Sequence, residues 1–140
     1  MSASSASVAA LQGALAAEHA AVYGYGVAGA MLAGNEQADA RADWTAHQVA
    51  RDTLEAMLAK LGATPVAASP AYALPFPVTS ASTAAKLAAT LEEGVTRGYL
   101  GLVAVSNPTL RAFAAKAMQA SANRALAWSG STVAFPGMPG

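Results

Sequence analysis

The sequence predicts an all-α fold: a four-helix bundle made of two antiparallel helical hairpins joined by one long crossover. Three observations predict it. Apolar residues recur at helical period in four stretches, punctuated by Gly34, Gly62, Ser80 and Asn107-Pro108. The first and second stretches, and again the third and fourth, are separated by only one or two residues, which forces each pair into a hairpin. Between the second and third lie the 17 residues from Ala63 to Thr79, with prolines at 65, 70, 75 and 77 that discourage a helix.

Helix 1 is expected from about Ser5 to Ala33, on the stripe Val8, Leu11, Leu15, Glu18, Val22, Tyr25 and Leu32, with a stop at Gly34. Asn35 is the expected cap of helix 2, whose stripe Ala40, Trp44, His47, Arg51, Leu54, Leu58 and Leu61 ends at Gly62. Ser80 or Ser82 opens helix 3, which carries Ala88, Glu92, Val95, Tyr99 and Leu102. Asn107 followed by Pro108 is a cap with proline at the first helical position, so helix 4 starts there and carries Leu110, Phe113, Ala117, Arg124 and Trp128 to about Ser129. A helix of about 27 residues is about 40 Å long, and an extended strap of about 17 residues reaches at most about 56 to 61 Å. The strap can therefore run the length of the bundle and leave helices 2 and 3 parallel. One long crossover between two hairpins is the ferritin-like arrangement. Residues 1–140 read as a single domain, with a non-helical tail from about 130 to 140 expected to pack on the surface or on a neighbour.

Composition narrows the function. A chain of 140 residues can bury about two-thirds of its unfolded surface, enough for a core without staples. It contains no cysteine, which excludes disulfides and thiolate sites. Eight basic residues balance eight acidic ones without any basic run, so nucleic acid is not an expected partner. Only 11% of residues are charged against 54% hydrophobic, too few to cover an isolated bundle, and a homodimer is the simplest expectation. The apolar stretch from Val8 to Ala17 lacks a basic n-region, and no stretch reaches membrane-spanning length uninterrupted, so no membrane association and a cytoplasmic location are expected. Serine-nucleophile settings, phosphate loops and dinucleotide fingerprints are absent.

The informative residues are polar ones on apolar stripes. Glu18 and Glu92 occupy matching places in two related halves, each followed at +6 and +7 by Gly-Tyr, namely Gly24-Tyr25 and Gly98-Tyr99. Four-helix folds place metal ligands at such positions, accompanied by Glu-x-x-His pairs on the other two helices. Those pairs are absent: Trp44 stands three residues before His47, and the last helix offers only Gln119 or Arg124. An unpaired charge on an apolar stripe costs several kcal/mol, so Glu18, His47, Arg51, Glu92 and Arg124 must find one another. Two carboxylates facing two guanidiniums, with the imidazole as a further partner, would be balanced. The competing expectation is a mononuclear iron, manganese or zinc site on Glu18, His47 and Glu92, weighed down by the repulsion of two nearby arginines. Tyr25, Tyr99, Trp44 and Trp128 read as packing residues, and His19 as a partly exposed histidine on another face. The helical glycines read as allowing close helix crossing.

The run Glu18-His19-Ala20-Ala21-Val22-Tyr23-Gly24-Tyr25, the run His47-Gln48-Val49-Ala50-Arg51-Asp52 and the run Leu91-Glu92-Glu93-Gly94-Val95 resemble the small ferritin-like proteins of actinobacteria, a domain family of unknown function. The resemblance spans nearly the whole chain and implies the fold and dimerisation, with no established activity. Against the wider di-iron superfamily, the chain keeps one carboxylate on each of helices 1 and 3 and one histidine on helix 2. It lacks both bridging glutamates and the second histidine, which argues against ferroxidase or oxygenase chemistry and for a non-catalytic role.

Overall fold

The computed structural model describes residues 2–130. Its elements are α1 (Ala3–Ala30), α2 (Gly34–Lys60), α3 (Ala81–Gly98), the single turn α4 (Leu100–Val103) and α5 (Pro108–Ser129), and no strand occurs among the described residues. Ser2 caps α1 by accepting from the Ser5 N–H, Ser80 and Thr83 form a reciprocal capping box on α3, and Asn107 accepts from the amides of Thr109 and Leu110 ahead of α5. The expectation for α2 needs correcting: its cap is Ala33, without a side-chain hydrogen bond, and Asn35 lies inside the helix. The α1–α2 turn is made by Gly34, whose φ of 58° suits a residue without Cβ. At its far end the third helix is interrupted at Tyr99, and α4 turns the chain towards α5.

The strap fixes the topology. Its start is held low on α1, where Gln12 donates to the Thr64 carbonyl and accepts from the Val66 N–H, both at 2.8 Å. Tyr72 then meets the Tyr23 ring at 5.5 Å, and Leu74, Phe76 and Val78 pack near Val27, Ala28 and Leu32. The strap thus climbs the bundle alongside α1 and delivers α3 at the end where α2 begins, so α2 and α3 run parallel.

The core has two apolar parts. One gathers Leu11, Leu15, Leu54, Leu58, Leu102 and Leu110, and the other Ala28, Leu32, Ala40, Ala84, Leu87 and the Tyr25 ring. α1 and α3 cross closely between them: a Cβ on Gly98 would stand 2.5 Å from the Ala17 Cβ, and one on Gly24 would stand 2.5 Å from the Leu91 side chain. The expected tail lies outside the described residues beyond Gly130, the left-handed cap of α5.

Candidate functional site

Seven residues make close to two helical turns, so Glu18 and Tyr25 share one face of α1, and Glu92 and Tyr99 share one face of α3. Because the two helices run antiparallel, each tyrosine comes to lie beside the other half's glutamate. The Tyr25 hydroxyl donates to Glu92 Oε2 at 2.5 Å, and the Tyr99 hydroxyl donates to Glu18 Oε1 at 2.8 Å. Both glutamates are buried between the two apolar parts of the core.

His47 enters from α2 and joins them. Its Nδ1 lies 2.5 Å from Glu18 Oε2 and its Nε2 lies 2.7 Å from Glu92 Oε2. Carboxylates can only accept, so both ring nitrogens carry protons and the group is an imidazolium. Burial alone would lower its pKa, but the hydrogen bonds and charges of Glu18 and Glu92 prevail and raise it to about 9. Burial and the neighbouring glutamates likewise push both tyrosine hydroxyls far above their ordinary range, keeping them as donors. The Tyr25 ring stacks on the imidazole at 5.5 Å.

The expected arginines are placed differently. Arg51 is not in the core: it points outward, with Nε 3.0 Å from Asp52 and 3.7 Å from Glu55. Arg124 stands at the edge, its Nη1 3.9 Å from Glu92 Oε1 and its Nε 3.7 Å from Asp43 Oδ1, both beyond hydrogen-bond length. Gln119 is exposed and takes no part. The imidazolium therefore does the neutralising expected of two guanidiniums. Trp44 is likewise more exposed than expected of a packing residue, at 37%. His19 is more buried than expected, lying under the strap with Nε2 2.9 Å from the Val66 carbonyl.

Asp43 is the residue that sequence reasoning missed. It accepts from Trp128 Nε1 at 2.9 Å and makes a longer contact with the Tyr25 hydroxyl at 3.4 Å. Burial pushes its carboxyl above the ordinary range; the Trp128 hydrogen bond opposes this and the Glu92 charge adds to it. Its position four residues before His47 is the signal, since i and i+4 share a helix face.

Among the described residues, no group of three or more His, Asp or Glu side chains is arranged to hold a metal ion. The geometry says why: Glu18 and Glu92 grip opposite edges of the His47 ring, so the three do not converge on one point. One buried acceptor, Glu92 Oε1, has no hydrogen-bond partner. The α2–α5 seam opens beside the network into a cavity of about 270 Å³ that reaches Glu18 and His47. Ser121 on its α5 wall is as far along the chain from Glu92 as His47 is from Glu18, so the second half carries a small residue where the first carries the imidazole.

Residues 10–140 match a family described as a domain of unknown function, DUF4439. The chain belongs to this family. The DUF4439 chain is also similar to the crystal structure of a conserved hypothetical protein from Mycobacterium tuberculosis, with 35% identity and a TM-score of 0.86. That likeness covers 90% of the DUF4439 chain and 96% of the mycobacterial one. The curated proteins provide no match. No helix among the described residues is long and apolar enough to cross a membrane.

Proposed function

We propose that this is a non-catalytic protein of ferritin-like descent, in which a tyrosine, glutamate and histidine network fills the place of a metal centre, and which acts by homodimerisation or by binding a partner protein. The observation that supports this best is the engagement of both His47 nitrogens by carboxylates. A histidine in that state has no lone pair for a metal or for general-base work. The low charge of the chain favours a surface that a second copy would cover, and Met31, Trp44, Val49 and Leu126 are individually exposed apolar side chains.

The competing reading, a mononuclear iron, manganese or zinc site, draws on the unpartnered Glu92 Oε1. It would require His47 to lose one proton and one carboxylate to swing around the ring. Adding Fe(II), Mn(II) or Zn(II) to protein purified without a histidine tag separates the two. The melting temperature is expected to stay unchanged, and light scattering at micromolar protein to give a mass twice the 13.9 kDa chain. Stoichiometric metal in the purified protein, lost on Glu18→Ala or His47→Ala, would reverse the assignment.

A further inference from the structure

The α2–α5 seam holds a cavity that the network borders but does not fill. α1 packs closely on α2 and on α3, and α3 on α5, but α2 and α5 barely meet. The cavity between them, of about 270 Å³, has apolar walls: Ala46, Val49 and Ala50 from α2, and Phe113, Ala117 and Ala120 from α5. The Tyr99 ring backs Phe113 at 6.0 Å. The cavity floor is polar and buried, because Glu18, His47 and Ser121, each 1% exposed, all line it. His47 has both ring nitrogens engaged and offers nothing further. Glu18 accepts one bond on each oxygen, from His47 and from Tyr99, whereas a carboxylate has room for about four. The Ser121 hydroxyl has no hydrogen-bond partner among the described residues, which leaves a buried donor and acceptor for whatever occupies the cavity.

We propose that this cavity binds a neutral two-ring nitrogen heterocycle, whose N–H donates to Glu18 and whose other ring nitrogen accepts from the Ser121 hydroxyl. Charge comes first: Glu18 and His47 balance one another on the floor, and Lys116 and Arg124 line the same cavity, which disfavours a cation. Size is the second constraint. An apolar cavity of about 150 Å³ holds benzene, so about 270 Å³ leaves room for a second, fused ring between the apolar walls and Phe113. The repeat supplies the third, because Ser121 stands where the first half carries His47, whose imidazole meets Glu18. The occupant would bring to the second half the kind of ring that the chain itself brings to the first. Its binding needs neither a metal nor a second copy, and so stands apart from the reading above.

The probe is benzimidazole, titrated calorimetrically into the full chain with EDTA present, so that ligation of a stray metal gives no response. The expected result is saturable binding at one site per chain, with a rise in melting temperature. 1-Methylbenzimidazole keeps the shape but loses the N–H, and should bind about tenfold or more weakly because the bond to the Glu18 carboxylate is gone. Ser121→Ala, which removes the hydroxyl, should weaken benzimidazole about threefold to tenfold. Ala117→Leu fills the α5 wall and should abolish binding; should that variant fail to fold, the methylated probe and Ser121→Ala still decide. No saturable binding at millimolar benzimidazole overturns the proposal, as does equal affinity for the methylated probe or an affinity that Ser121→Ala leaves unchanged.

Discussion

Raising the pH through the upper 8s should unfasten the centre of this protein. The folded-state pKa of His47 is about 9 against 6.5 for the free side chain, so the imidazolium stabilises the fold fully below pH 6.5, and that stabilisation is lost as pH rises through 9. Each pKa unit corresponds to about 1.4 kcal/mol, which makes the full loss roughly 3 kcal/mol. For a chain of this size that is on the order of 10 °C in melting temperature. Urea unfolding between pH 6 and 9.5 reads the loss directly. His47→Gln supplies the control: it should be destabilised at pH 6 by roughly 3–5 kcal/mol, because two buried carboxylates lose their cation, and its residual stability should lack the wild-type slope. Wild-type stability that is flat or rises from pH 6.5 to 9 would refute the imidazolium, and with it the reason for denying His47 a lone pair.

Two further predictions concern packing and surface charge. Gly98→Ala should destabilise the fold by about 1–3 kcal/mol despite the better helix former, because its Cβ would stand 2.5 Å from that of Ala17, whereas Gly26→Ala, with nothing within 4 Å, should stabilise it by up to about 1 kcal/mol. Melting curves of the two variants moving in the same direction would contradict the crossing geometry. Arg51→Met should change stability by no more than about 0.5 kcal/mol, since the guanidinium pairs only with partly exposed carboxylates, and a loss of several kcal/mol would return it to the core.

The helices, the strap and the pairing of Glu18 with Glu92 were legible because punctuation and helical period are local signals. His47 was legible for the same reason. What failed was the phase of the second stripe. Trp44 and Arg51 fit a 3.6-residue period from His47 about as well as Asp43 and Ala50 do, and alanines at 46 and 50 give no apolar bulk to decide between them. Only the neighbouring helices settle which edge turns inward. His19 was misjudged for a different reason: its cover is the strap, and nothing in a proline-rich segment tells the sequence reader which side chains it will lie across.

The exchange of hydroxyls between the two glutamates bears on how the chain folds. Each hairpin carries a carboxylate whose tyrosine partner belongs to the other hairpin, and the imidazole that joins both comes from only one of them. An α1–α2 hairpin formed alone keeps His47 against Glu18 but leaves Tyr25 without Glu92; an α3–α5 hairpin formed alone has Glu92 with neither donor. Neither half is a satisfied intermediate, however well its own helices pair. The two halves, alike in sequence pattern, are thereby made mutually dependent: each completes the other's buried polar network.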